Sequence, residues 1–331
     1  MKKIFTTFAL TVIFCLHAAA YNQVRLVINE GISDRQLKEK IEHAVSVVMT
    51  QINIDHEQNS PKVSFATVHM LRDAQGELNK LWANEHFRCV EEEVVERLLH
   101  TSNGYQIRGI PLIVNLAKDG DELGYQEAVI NFNREGVITS FYYTINPELY
   151  SKLRMEQQIN DISNEVTDIK ERMMILDYVE HFRTSYNQKD LKFLEQVFSA
   201  DALIITGKVI KRKKTEMAPA GIDIVYTKQT KREYLDNLKR AFKRTRYIKV
   251  TFDDVKIVSH PSVKGIYGVT VKQAWKANSY SDEGYVFMLW DFRNPDMPQI
   301  HVRTWQPEYI DKVTGKKMNS NDVFTLGDFD I

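Results

Sequence analysis

The stretch Tyr178-Val179-Glu180-His181-Phe182-Arg183-Thr184-Ser185-Tyr186-Asn187-Gln188-Lys189-Asp190-Leu191 runs into Leu194-Glu195-Gln196-Val197-Phe198-Ser199-Ala200-Asp201-Ala202. Its apolar spacing predicts an amphipathic helix, a short polar turn ending in Asp-Leu, and a short helix from about Leu191 to Phe198. A strand from Ala202 to Thr206 then follows a Phe-x-x-Asp-Ala step. Downstream, Thr230 and Glu233 form a capping-box pattern that opens a helix over Lys231 to Arg244. Four alternating stretches, at about 247–259, 265–276, 284–293 and 299–305, read as strands. Early helices followed by long alternating strands predict a curved antiparallel sheet wrapped around a helix.

This segment resembles the opening of nuclear-transport-factor-2-like (NTF2-like) domains, a superfamily that includes ketosteroid isomerases and polyketide-cyclase-like proteins. Met288-Leu289-Trp290-Asp291-Phe292-Arg293 and Ile300-His301-Val302-Arg303-Thr304-Trp305 are similar to the last two strands of that fold. The resemblance implies a cone whose mouth is a ligand pocket. Phe182, Tyr186, Thr206, Trp275, Phe287, Trp290 and Trp305 are its candidate lining. Isomerases of the superfamily carry a tyrosine on the first helix and two pocket aspartates. The resemblance puts Phe182 at the tyrosine, Thr206 at the base and Trp290 at or beside the second aspartate. Asp291 is one step from Trp290, which on a strand means the opposite face. Phe182 and Thr206 cannot move protons, so no catalytic residue is assigned. A dissenting enzyme reading rests on Asp291 with His301. The resemblance also implies a homodimer through the open sheet face.

Upstream, about 147–187 reads as one helical stretch. Ile159, Ile162, Val166, Ile169, Met173 and Leu176 form a heptad-like stripe too short for a self-sufficient coiled coil. It predicts a helix docked on a neighbouring domain. Residues 23–145 predict a separate α+β unit of no recognised family. Val24, Leu26 and Ile28 have strand period, and Ser33-Asp34-Arg35-Gln36 resembles a capping box. Leu37, Ile41, Ala44, Val45, Val48, Met49 and Ile52 then follow at helical spacing, up to a break at Asn59-Ser60-Pro61. A second helical pattern is read near Val90, Val94, Leu98 and Leu99. Ile110 to Leu116 reads as a buried strand, and Ala128–Phe132 with Val137–Tyr143 as a hairpin turning at Gly136.

The N-terminus opens Met1-Lys2-Lys3, continues as an apolar run from Ile4 to Leu16, and reaches Ala18-Ala19-Ala20. This is the three-part layout of a cleavable secretory signal peptide. The apolar run is short for a bilayer span, which wants about 20 residues. Phe14 is bulky where lipidation of Cys15 would need a small residue, which disfavours a lipid anchor. Export to a periplasm or to the medium is expected, with no membrane span after residue 20. Roughly 310 residues then remain, enough for about two domains. Cys15 and Cys89 are the two cysteines, so cleavage leaves Cys89 alone and no internal disulfide.

The chain has 44 basic and 44 acidic residues, yet 208–249 holds 14 basic against 4 acidic. Lys211, Arg212, Lys213 and Lys214 are read as a loop, and Lys239, Arg240, Lys243 and Arg244 as one side of the following helix. This asymmetry gives an alternative function, a polyanion binder for an envelope glycan or lipid. Export argues against nucleic acid. His86, Cys89 and His100 have no second ligand pair, so no metal is assigned. Asp119-Gly120-Asp121 is too short for a calcium loop. No Walker loop, His-Glu-x-x-His or G-x-S-x-G motif occurs, and no cofactor is implied.

The expected plan is a signal peptide at 1–20, an α+β domain at 21–145, a helical connector at 146–172, an NTF2-like cone at 173–306 and a tail at 307–331. In the tail, Val323-Phe324, Leu326, Phe329 and Ile331 are expected to dock as a strand. The expected function is an exported non-catalytic protein that binds a small apolar ligand or a protein partner. A small-molecule isomerase or hydrolase with a non-standard site is the enzyme alternative.

Overall fold

The computed structural model describes residues 21–101, 103–115, 123–145, 166–212, 221–278, 280–311, 314–319 and 322–329. It is an α+β chain. The signal-peptide reading at 1–20, the Asp119–Asp121 turn, Ile159, Ile162, Lys213, Lys214 and Ile331 lie outside the described residues.

In the N-terminal half, β1 (Arg25–Glu30) precedes α1 (Arg35–Glu57). The helix is capped by Asp34, whose carboxylate accepts from the Gln36 and Leu37 amides. Ser33 is not the cap, and the third helical residue is Leu37, so the expected capping box is absent. Glu42, Ser46 and Thr50 accept from the amides of Ile28 (2.7 Å), Leu26 (2.9 Å) and Val24 (3.0 Å). Four helical residues rise about 6.0 Å and two strand residues about 6.6 Å, so the two periods match over this length. The helix thereby covers the edge of β1 that β3 does not pair.

The expected second helix near Val90–Leu99 is instead strand: β2 (Phe87–Arg88), β3 (Glu93–Arg97) and β4 (Leu99–Thr101). β3 runs parallel to β1, with Val94 buried and Val95 exposed. Glu91 and Glu92 precede β3, and Glu93 opens it, so none lies on a helix. The true second helix is α2 (Arg72–Asn84), which buries Ala74, Leu78, Leu81 and Trp82. β5 (Gly104–Asn115), β6 (Leu123–Asn133) and β7 (Ile138–Tyr143) form an antiparallel meander. The turn uses Gly136 at φ 74°, left-handed backbone that glycine accepts without strain.

The C-terminal half is built on α3 (Val166–Gln188), followed by α4 (Leu191–Val197), β8 (Phe198–Arg212), β9 (Gly221–Thr230) and α5 (Lys231–Arg244). Strands β10 (Ile248–Ser259), β11 (Ile266–Ala277), β12 (Tyr280–Asp291) and β13 (Gln299–Pro307) complete a curled sheet of order β10-β11-β12-β13-β8-β9. Asp190 caps α4, and Thr230 with Glu233 forms the complete capping box of α5. Strand β9 falls inside the stretch read as loop and basic run.

Helix α3 is buried on two sides. Ile175, Val179, Phe182 and Tyr186 enter the cone core at spacings of four, three and four. The other side meets the outer face of the N-terminal meander. Arg108 on β5 pairs with Glu180 (2.5 Å) and Asp177 (3.3 Å) of α3. Gln106 donates to Asp177 (2.8 Å), and the Tyr142 hydroxyl donates to the same carboxylate. Arg183 donates to the Tyr143 carbonyl (2.7 Å), and Gln188 to that of Phe141 (3.2 Å). Met173 and Leu176 of the expected stripe fall on α3, but the stripe that enters the cone is the one through Phe182.

The tail docks without forming the expected strand. β14 (Tyr309–Asp311) and β15 (Lys316–Lys317) make a small ladder, and a 3-10 turn spans Leu326–Asp328. Phe324, Leu326 and Phe329 pack on Ile266, Phe287, Leu289 and Val302, on the outer face of the sheet. Phe329 stacks on Phe287 with centroids 5.4 Å apart. Gln306 donates to the Asp322 carbonyl (2.8 Å) and accepts from the Phe324 amide (2.7 Å). The sheet face expected to pair two copies thus carries part of the chain's own tail.

Candidate functional site: the mouth of the cone

The inner face of the sheet grades from apolar to polar along its strands. At the closed end Trp290 is fully buried among Tyr178, Phe182 and Phe292, with ring centroids 5.5–6.2 Å away. Its indole N–H is buried and has no hydrogen-bond partner. Val286 and Met288 continue this face of β12, and alternation carries it through Gly284 to Asp282. On β13 the same parity gives Arg303 and Trp305, and on β8 it gives Ile204 and Thr206, which pair with them. On β11 it gives Gln273 and Trp275, opposite Gly284 and Asp282. Trp275, Trp305, Thr206, Tyr234 and Gln229 are partly exposed and mark the mouth.

Local sequence explains the arrangement. A Cβ at Gly284 would come 2.1 Å from the Gln306 carbonyl oxygen and 3.1 Å from Trp305 Cε2. Glycine there lets the Trp305 ring lie close to β12. Tyr186, the last cone residue of α3, sits edge-on to Trp275 at 5.7 Å, and its hydroxyl is 2.8 Å from that of Tyr234 on α5. Burial pushes the Tyr186 phenol well above its ordinary value. Gln229 donates to the Thr206 hydroxyl at 3.4 Å.

Arg303 lies one inward position from the Trp305 rim. Only 4% of it is exposed. Its guanidinium carbon is 5.3 Å from the Tyr234 ring centroid, a cation–π distance. Burial works against its charge, but the Tyr234 and Tyr186 oxygens and the Asp282 carboxylate hold its pKa above the usual arginine value. Asp282 accepts from the Tyr280 hydroxyl.

Phe182, Tyr186 and Trp290 lie in the cone core as fully buried residues, while Thr206, Trp275 and Trp305 lie at its mouth. Phe287 does not line the cone. It sits between Val286 and Met288, so strand parity turns it outward onto Phe329. Asp291 and His301 are also outside: their side chains meet at 3.1 Å on the outer face, with Arg293 at 2.6 Å from Asp291. Arg293 and His301 hydrogen bonds hold the Asp291 carboxyl down at about 2. An Asp291–His301 dyad therefore cannot serve a ligand in the cone. Sequence reading missed Arg303, Tyr234, Asp282 and Gln273 as site residues. The available signal was parity with Trp305 for Arg303, and four-residue spacing to Leu238 for Tyr234.

Lys211 and Arg212 end β8, and their side chains are not among those described. Helix α5 starts at the opposite end of the β8–β9 ladder, where Leu203 pairs with Thr230. Nine steps of strand, roughly 30 Å, separate the Arg212 end of that ladder from its Leu203–Thr230 end. Lys239, Arg240, Lys243 and Arg244 are exposed on α5.

His86, Cys89 and His100 do not converge. His86 stacks on Trp82 at 4.2 Å, and His100 bonds the Gly31 carbonyl at 2.8 Å. Cys89 is buried, and burial raises its thiol to about 11. Among the described residues no cluster of three His, Cys, Asp or Glu is placed to hold a metal, and no helix is long and apolar enough to cross a membrane.

The C-terminal half has the α+β plan expected of an NTF2-like cone, with α3 packed against a curled six-stranded sheet. Solved structures similar to the chain include an NTF2-like protein from Cytophaga hutchinsonii, 13% identical over 41% of this chain and 97% of that one, with TM-score 0.28. Bd1075 of Bdellovibrio bacteriovorus is 13% identical, covering 61% of this chain and 68% of that one, TM-score 0.33. Kfla4162 of Kribbella flavida is 8% identical, covering 42% and 92%, TM-score 0.31. Others are named for a dehydratase or hydroxylase activity. No protein-family model matches the sequence, and no curated protein matches it. Fold likeness at this identity does not carry an activity, because the same cone hosts unrelated chemistries.

Proposed function

We propose that this chain is an exported, non-catalytic binding protein whose cone mouth receives a small apolar molecule. The observation that carries the reading is the cluster of partly exposed Trp275, Trp305 and Tyr234 over an otherwise sealed aromatic core. Partly exposed aromatic surface at the end of a curled sheet is what an apolar ligand would cover. The positions that the superfamily's isomerases use for proton transfer are Phe182 and Thr206, which hold no titratable group. Export rests on the signal-peptide pattern of residues 1–20.

The test is expression of the full chain with its own N-terminus in a bacterial host, recovery of the envelope fraction, and titration with the neutral fluorophore N-phenyl-1-naphthylamine. The mature chain is expected to start at Tyr21 and to bind one probe per chain. Trp305→Ala is expected to weaken that binding about tenfold, the scale of an aromatic anchor lost from a pocket. A chain retained whole in the cytoplasm would contradict export. Absence of saturable binding would contradict the cone as a binding site.

A further inference from the structure

We infer that the molecule held at the cone mouth is a planar apolar monocarboxylate, its carboxylate on Arg303 and its apolar body between Trp275 and Trp305. The inference rests on the reading of the cone as a binding site. Arg303 is the reason to expect an anion. Among the described residues, no carboxylate comes within 4.0 Å of its guanidinium nitrogens, and its Nε is buried without a hydrogen-bond partner. Tyr186 and Asp282 act in favour of the charge, but neither is a carboxylate at ion-pair distance, and a buried guanidinium is ordinarily matched by a carboxylate or phosphate. Tyr234 covers one face of the group, which compensates it in part. The planar fork of N–H donors suits bidentate capture of a carboxylate.

The surroundings narrow the class further. Arg303 pairs with Ile204 and Met288, and one inward position away its strand carries Trp305 beside Thr206. Trp275 stands edge-on to Tyr186 across from this rim. An anion reaching Arg303 therefore passes aromatic surface and must carry an apolar body to match it. Asp282, directly opposite Trp275, adds one negative charge to the same rim. That charge repels a second anionic group, so a monocarboxylate fits and a dicarboxylate does not.

The experiment is calorimetric titration of the mature chain with 2-naphthoate, the neutral 2-naphthamide and 2,6-naphthalenedicarboxylate. The expected result is 2-naphthoate binding about tenfold or more tightly than either analogue, the scale of one charge-assisted contact. In Arg303→Met that preference over the amide is expected to fall to about twofold or less, with Arg303→Lys between the two. Equal affinity for acid and amide in the unmutated chain would overturn the anion assignment while leaving the cone a binding site. Failure of all three to bind, together with failure of N-phenyl-1-naphthylamine, would overturn the binding reading itself. Tighter binding of the dicarboxylate would overturn the role given to Asp282. The acid–amide comparison needs no variant, so it stands even if the substitutions disturb folding.

Discussion

Replacing Arg108 with methionine is expected to lower folding stability by about 3–5 kcal/mol, the range for breaking a buried ion pair from one side. Arg108 is 3% exposed, and it faces Glu180, also 3% exposed, and Asp177 across the junction of the two halves. Methionine keeps most of the volume, so the loss measures charge rather than a cavity. Glu180 retains a bond from the Ile145 amide at 3.0 Å, but no longer has its cation. Burial already raises the Glu180 pKa, against the opposing pull of Arg108. Without Arg108 that rise grows. A carboxyl whose folded value exceeds its unfolded value costs nothing below the unfolded pKa and destabilises as pH climbs through the folded one. The deficit is therefore expected to be larger at pH 8 than at pH 5. Adding Glu180→Gln is expected to recover part of it, since the orphaned charge is then gone. Urea unfolding followed by circular dichroism checks both points. A loss under about 1 kcal/mol would mean that the junction contributes little to stability.

Trp290→Ala is expected to cost about 3–5 kcal/mol by emptying the closed end of the cone. Trp290 is fully buried, and its neighbour Phe182 is also held by Tyr186 and Phe198 in the same core. Collapse around the void is then incomplete, which places the cost high in its range. Trp290→Phe separates volume from polarity. It removes the indole N–H that lacks a partner and keeps an aromatic ring, so it is expected to cost less than about 1.5 kcal/mol. Thermal melts of the two variants against the parent decide it. Equal losses would show that the N–H, or a bond it makes with water, matters more than the ring.

How much of this was legible depended on period. Over unbroken stretches such as Asp282 to Trp290 of β12 interior and exterior could be read from parity, but a register break puts Ile300 and Val302 of β13 on opposite faces despite their shared parity. Parity was set aside for Phe287, whose size suggested lining although Val286 and Met288 flank it. The Val94 to Leu98 interval misled for a physical reason: a spacing of four satisfies a helical turn and two strand repeats alike. Helix α2 went unread although Ala74, Leu78, Leu81 and Trp82 have helical spacing, and Gly76 within it weakens the propensity. The cap of α5 was readable because both halves of its box are local. The pairing of Arg108 with Glu180 spans 72 residues and leaves no local trace. Arg303 was visible as a strand residue, but that its charge lies inside depends on how the sheet curls.

The most direct measurement is a nuclear magnetic resonance titration that follows the four tryptophan indole N–H signals while 2-naphthoate or 2-naphthamide is added. Trp82 lies in the N-terminal core, where its indole donates to the Ser60 carbonyl at 2.9 Å. Trp275 and Trp305 lie at the cone mouth. The expected result is that the Trp275 and Trp305 signals move to saturation with at least one compound, that Trp82 does not move, and that the compound's own signals stay unaltered overnight. Movement of Trp82 without the rim pair, or conversion of the compound to a product, would contradict a non-catalytic binding site at the mouth of the cone.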